Sequence, residues 1–175
     1  IYELFDYNIA YEIRLQDALD NDMLCPFIYF GVKDIEINGH LIDENTNISN
    51  LTSNERVKHI LQKIDFYGVS GEKVKGLIFC SSKQEAHELS LKLNQHGKAC
   101  RALTGDDNIE TRNEVVSQLE KGQLDYILTV DIFNEGIDIP SVNQVVMLRN
   151  TQSSIVFVQQ LGRGLRKHDS KEYVT

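Results

Sequence analysis

The sequence predicts a doubly wound α/β fold, in which helices cover both faces of a parallel sheet. Three observations predict it. From about residue 52, segments with helical periodicity alternate with short apolar runs. Hydroxyl or carboxylate side chains of the kind that cap helices precede the helical segments. Successive apolar runs are separated by a helix-length segment, which suits the crossover that parallel strands require.

The first unit starts at residues 52–55, a Thr-Ser-Asn-Glu sequence typical of a capping box. Its apolar residues at three- and four-residue spacing predict an amphipathic helix that ends at Gly68. Residues 76–80 follow as a continuous apolar run, which is typical of a strand buried on both faces.

The same pattern continues along the chain. Residues 82–85 are predicted to cap a helix that stops at Gly97, and residues 107–110 one that ends near Gly122. The other predicted elements are strands at 98–103, 124–130, 144–148 and 172–175, the last cut short, and a helix at 153–166.

The first fifty residues fit this alternation less well. Residues 10–22 have a helical pattern, 27–37 an extended one, and 40–50 are predicted to form a polar loop. We expect residues 1–22 to connect this domain to another that lies upstream.

Composition narrows the class of protein. With 41% hydrophobic and 25% charged residues and two prolines, the chain is typical of a globular protein, and we expect it in the cytoplasm. Three cysteines, spaced far apart, predict a reducing compartment rather than a disulfide framework. The five histidines are equally scattered, so we predict no metal site.

The net charge of −8 argues against a nucleic-acid partner, but its distribution does not. Residues 1–65 carry 12 acidic and 5 basic side chains, whereas residues 66–175 carry 14 and 13. The acidity is therefore concentrated in the first third, and the rest is nearly neutral.

Small polar residues follow the predicted strands, where ligands of such sheets collect. We single out Ser81, Thr104, Gly105 and Thr129. One interpretation is that these groups only cap the next helices. The other is that they hold a sugar–phosphate backbone without reading its sequence.

Residues 159–166 place two guanidiniums on one flank of the predicted helix. At about 100° per residue, Gln159, Arg163 and Arg166 fall together beside an apolar stripe. They could be solvated cations at a helix end. The intervening Gly162 and Gly164 instead favour close approach of a ligand, for which paired arginines suit a phosphoryl group in transfer.

These segments resemble superfamily 2 helicases. Residues 77–82 resemble motif IV, 129–140 motif V and 159–166 motif VI, and Thr104-Gly105-Asp106 with Arg112 resembles the threonine-glycine element. The residues of motifs V and VI are most similar to those of bacterial DEAD/DEAH-type DNA helicases and restriction-system motor subunits. Gln159 stands where DEAD-box RNA helicases carry histidine, so RNA is the less expected partner.

The resemblance implies that residues 23–175 form the second RecA-like lobe of a two-lobed motor. No GxxxxGK[ST] loop occurs in the chain, so ATP and Mg²⁺ would be bound mainly by the first lobe of the same polypeptide. Arg163 and Arg166 would act as arginine fingers, and Gly136, Asp138 and Gln159 would contact or sense the nucleotide. Ser81, Thr104, Gly105 and Thr129 would hold DNA, and the isolated chain would not hydrolyse ATP.

Two other readings remain open at this point. A helicase-like lobe could serve as a non-catalytic interaction or regulatory module, for which the acidic first third could meet a basic partner. A small-molecule transferase of doubly wound fold could use Thr104-Gly105 as a phosphate turn.

Overall fold

From residue 54 to residue 129, helices alternate with short strands along the chain. The computed structural model describes residues 21, 23–37, 40–42, 46–130, 139–148 and 165–175. Within these residues the elements are β1 (Glu36–Ile37), β2 (His40–Leu41), α1 (Ile48–Leu51), α2 (Asn54–Tyr67), β3 (Gly76–Phe79), α3 (Lys83–Gln95), β4 (Cys100–Ala102), α4 (Ile109–Glu120), β5 (Tyr126–Thr129) and β6 (Gln144–Met147).

Four strands form one parallel sheet in the order β4-β5-β3-β6. The central strand β3 pairs with β5 from Gly76 opposite Tyr126 to Phe79 opposite Thr129, and with β6 on its other side. Among the described residues, α3 connects β3 with β4 and α4 connects β4 with β5, so both helices form crossovers between parallel strands.

Helices pack on both faces of this sheet. On one face, apolar side chains of α2 and α3 form a cluster with Ile78, Tyr126 and Leu128. On the other, α4 contributes Val115 and Leu119 to a cluster with strand residues that alternate with the first set. The predicted doubly wound α/β fold is therefore confirmed.

The helix cap that the sequence predicts is found at one helix, and at two others the cap is the next residue along the chain. Ser82 caps α3 and accepts from the Glu85 N–H, as predicted. However, α2 is capped by Ser53, because the Thr52 hydroxyl instead donates to the Ile48 carbonyl. Likewise α4 is capped by Asn108, since the Asp107 carboxylate turns back to Thr104.

Residues 40–50 are not the polar loop that their composition predicts. His40–Leu41 pair antiparallel with Glu36–Ile37, and α1 covers Ile48–Leu51, whose Leu51 is buried. Tertiary packing therefore overrides the polar pattern here. The predicted helix at 10–22 falls almost entirely outside the described residues, as does the predicted connector at 1–22.

Two extended segments continue the sheet beyond β6. Thr175 donates to the Asn143 carbonyl and accepts from the Val145 N–H, and Val174 forms a parallel bridge with Phe27. Residues 172–175 thus form a bridge rather than a regular strand. Beyond Phe27, the side chains of Ile28, Tyr29 and nearby apolar residues are exposed.

The predicted helix at 153–166 can be compared with the structure only at its end. Residues 149–164 lie outside the described part, and neither Leu165 nor Arg166 is helical. The Leu165 carbonyl accepts from the Cys25 N–H at 2.7 Å, which is a hydrogen bond to a distant segment and not one within a helix. The predicted helix end at Arg166 is therefore wrong.

The described residues contain neither a membrane-spanning helix nor a cluster of metal-binding side chains. None of their helices combines the length and apolarity that crossing a membrane would need. Among the same residues, no three histidine, cysteine or acidic side chains are grouped as metal ligands.

The three cysteines should be inert toward alkylating reagents in the native protein. Cys25, Cys80 and Cys100 are all buried, and burial raises the pKa of the Cys100 thiol to about 12. Because only the thiolate reacts, we expect no adduct with iodoacetamide at pH 8 and three adducts after unfolding in urea, measured by intact mass. Rapid alkylation of native Cys100 would contradict this packing.

Candidate nucleic-acid and nucleotide site

The carboxyl edge of the parallel sheet gathers all four residues predicted to hold nucleic acid. The Cys80 N–H donates to the Thr129 carbonyl at 2.7 Å, and the Leu103 N–H donates to the Leu128 carbonyl at 2.8 Å. The ends of β3, β5 and β4 are therefore level. Since neighbouring strands lie about 4.8 Å apart, Ser81 and Thr104 leave the sheet about 10 Å from each other.

Ser81 lies just after β3 and is held by a carboxylate. Its N–H and its hydroxyl both donate to Glu85 Oε2, each at 2.7 Å. Glu85 belongs to the first turn of α3 and is fully buried. In this conformation both donors of Ser81 face the protein, so the turn that contains Ser81 is rigidly placed.

The loop after β4 is built in a similar way. The Thr104 N–H and hydroxyl both approach Asp107 Oδ2, at 2.7 and 3.3 Å. The next residue, Gly105, is exposed, and its carbonyl accepts from Arg112 Nη2 at 3.1 Å. A Cβ added at Gly105 would meet no atom within 4 Å, so a ligand has room to approach the backbone there.

Thr129 is the last residue of β5, the central position of the edge. Its side chain is fully buried, and its Oγ1 has no hydrogen-bond partner among the described residues. Residues 131–138, which follow it closely in the chain, lie outside the described part.

Lys83 is a further candidate that the sequence reasoning missed. It is the first residue of α3, and its Nζ lies 2.7 Å from both carboxylate oxygens of Asp106, next to Gly105. Its side chain is 54% exposed. A signal was present in the sequence, because Lys83 directly follows the predicted cap at the predicted carboxyl edge.

The residues predicted to meet the nucleotide are mostly outside the described part of the chain. Gly136, Asp138, Gln159 and Arg163 fall there, so their roles stay predictions. Arg166 is described and is exposed. An exposed guanidinium is compatible with a phosphate that belongs to a neighbouring domain.

The edge therefore offers the Lys83 cation, which pairs with Asp106, and the open backbone of Gly105. The hydroxyls of Ser81 and Thr104 are bonded to carboxylates of the protein, and Thr129 is buried. This set of groups suits contacts to a phosphate backbone, which position a strand independently of its sequence.

Comparison with known proteins identifies the domain type. Residues 53–168 match the family described as helicase conserved C-terminal domain. The putative ATP-dependent helicase IRC3 of Saccharomyces cerevisiae is 24% identical over 94% of this chain and 25% of its own length. UvrABC system protein B of Rhodopirellula baltica is 26% identical over 75% of this chain and 19% of its own length. The chain thus spans about a quarter or less of these curated relatives.

Solved structures show the same fold. A fragment of a putative HsdR subunit of a type I restriction enzyme from Vibrio vulnificus has a TM-score of 0.72 and 20% identity, over 99% of this chain and 35% of that one. The DEAD-box protein SrmB of E. coli has a TM-score of 0.57 and 22% identity, over 74% of this chain and 71% of that one.

Proposed function

Since this chain belongs to the family of helicase conserved C-terminal domains, as its motifs predicted, we propose that it is the second motor lobe of an ATP-dependent DNA helicase or translocase. The observation that carries the proposal is the carboxyl edge, where Ser81, Thr104, Gly105 and Thr129 end three adjacent strands. This arrangement supports a grip on one nucleic-acid strand, as the second lobe of a motor requires.

In this proposal the nucleotide lies between two lobes of one polypeptide. The first lobe binds ATP and Mg²⁺, and the metal neutralises charge on the phosphates. Arg163 and Arg166 reach the γ-phosphate from this lobe, while Gly136, Asp138 and Gln159 contact the nucleotide. The exposure of Arg166 supports this role. Closure around ATP and reopening after hydrolysis then alternate the grips of the two lobes.

The proposed partner is DNA, in a cytoplasmic protein whose residues 1–22 connect the two lobes. The solved structures named above include both a putative restriction-enzyme subunit and a DEAD-box protein. Gln159 and the likeness to the HsdR fragment over 99% of this chain support DNA. Competition between DNA and RNA strands of equal sequence tests this choice, and a clear preference for RNA would reject it.

Nucleic-acid binding by the chain should depend on Lys83. We expect weak binding of a labelled single-stranded DNA at low salt, measured by fluorescence anisotropy. In Lys83→Gln the affinity should fall several-fold, and the slope of log affinity against log salt should decrease by about 1, because one phosphate contact is lost.

Lys98→Gln provides a matched control. Lys98 also pairs with an aspartate at 2.7 Å, but it precedes β4 at the opposite edge of the sheet. Lys98→Gln changes the net charge by the same amount as Lys83→Gln. It should leave the slope of log affinity against log salt unchanged. Equal effects of both substitutions would show that the carboxyl edge is not the binding surface, and a magnesium-dependent ATPase in the chain alone would reject the two-lobe assignment.

A further inference from the structure

A fully buried ion pair lies behind the Ser81 turn. Arg56 of α2 and Glu85 of α3 are both fully buried, and Arg56 Nη1 donates to Glu85 Oε1 at 2.6 Å. The other carboxylate oxygen, Oε2, accepts both donors of Ser81. One side of the Glu85 carboxylate is thus bound to the arginine and the other to the candidate site.

The same guanidinium reaches three further parts of the chain. Arg56 Nε donates to Asp34 at 2.9 Å, Nη1 to the Leu51 carbonyl at 2.8 Å, and Nη2 to the Leu148 carbonyl at 3.4 Å. Leu148 follows β6, the neighbour of β3 in the sheet. Arg56 therefore links the carboxyl ends of two adjacent strands with the segment around Asp34.

Stability does not explain why such a pair is present. A buried ion pair can often be replaced by apolar side chains of similar volume without loss of stability, whereas removal of one partner is strongly destabilising. This pair does more than fill the core, because Glu85 Oε2 accepts both hydrogen bonds of the Ser81 turn. The Lys98–Asp65 pair is more exposed, with side chains that are 25% and 61% accessible.

We propose that Arg56 and Glu85 are positioning residues for the nucleic-acid grip: the pair fixes the Ser81 turn, and with it Lys83, in the conformation that receives the phosphate backbone. The inference rests on the proposed function of this edge. It assigns the task to two residues that belong to none of the helicase motifs recognised in the sequence.

The test compares single and double substitutions in the chain. Arg56→Met or Glu85→Met alone leaves a buried charge without its partner and should lower the melting temperature strongly. The double variant R56M/E85M leaves neither charge of the pair unpartnered and should melt above both single variants, but it should bind single-stranded DNA on the order of tenfold more weakly, since the turn is no longer held. The net charge stays −8, so a change in total charge cannot cause the loss.

A matched double variant and a single variant complete the experiment. D65N/K98M also removes one charge of each sign. Asp65 lies in α2 and Lys98 precedes β4, so this ion pair is away from the carboxyl edge. This variant should bind DNA as the unmodified chain does. If R56M/E85M does not fold, Glu85→Gln decides. It retains the volume and makes the net charge less negative, which by itself favours DNA. Since it also removes the charged partner of Arg56, binding is measured at a temperature at which circular dichroism shows the variant to be folded, and weaker binding there supports positioning.

Three outcomes would count against the inference. Recovery of both stability and DNA affinity in R56M/E85M would show that the pair only fills the core. Unchanged affinity in Glu85→Gln would lead to the same conclusion. Absence of DNA binding by the unmodified chain would instead reject the proposed function, and the inference with it.

Discussion

Replacement of Arg163 or Arg166 by alanine in the two-lobed protein is expected to reduce ATP turnover on the order of a thousandfold. The physical reason is that a guanidinium directed at the γ-phosphate stabilises charge that spreads over its oxygens in the transition state. Binding of the ground-state nucleotide depends mainly on the other lobe, so affinity for a fluorescent ATP analogue should change little. Steady-state phosphate release and equilibrium titration measure the two quantities.

Arg101→Ala is the control for that experiment. Arg101 lies in β4, is 42% exposed and contacts Glu114 at 3.6 Å. It is a surface arginine of the same domain with no proposed contact to nucleotide, and its replacement should leave turnover within about twofold of normal. Arg163 and Arg166 variants that hydrolyse ATP at the normal rate would refute the arginine-finger assignment.

Gly76→Val is expected to have the largest effect on the stability of the chain itself. A Cβ at Gly76 would lie 2.2 Å from two ring atoms of Tyr126, the residue opposite it in β5. The ring has no room to move, because it is buried and its hydroxyl donates to Gln144 at 2.6 Å. We expect a loss of about 3 kcal/mol or more in the free energy of unfolding, and a fall in melting temperature of about 10 °C.

Gly31→Ala separates this overlap from the general effect of replacing glycine. A Cβ at Gly31 would meet nothing within 4 Å, and its φ lies outside the left-handed region. Its melting temperature should stay within about 2 °C of that of the unmodified chain. A Gly76→Val protein as stable as Gly31→Ala would show that β3 and β5 are not packed against each other as described.

The sequence predicts the order of the elements well because each is encoded locally. Alternating periodicity and helix-capping residues define β3 through β6 and the helices between them within a residue or two. Parallel strands then place all their carboxyl ends at one edge. For this reason the positions of Ser81, Thr104 and Thr129 at a common edge could be predicted before the side-chain contacts were known.

Features that depend on distant parts of the chain could not be predicted in this way. Arg56 and Glu85 are 29 residues apart, and no local pattern indicates that both are buried. The cap of α2 could not be predicted for a related reason. Thr52 and Ser53 are adjacent, and either hydroxyl could cap the helix. Thr52 bonds with Ile48 and Glu88 instead, and this leaves Ser53 as the cap. The short β1–β2 pairing likewise falls partly in a segment whose polar composition predicts a loop.

The segment that follows Phe27 has a consequence for handling the chain on its own. Phe27 forms the outermost described bridge of the sheet, and five large apolar side chains in the chain around it are exposed: Met23, Ile28, Tyr29, Phe30 and Val32. An extended apolar rim of this kind is a template for sheet-to-sheet association between molecules. Solubility at high concentration will therefore be limited by this rim, and substituting lysine at Tyr29 is the first change to make for an aggregation-resistant sample.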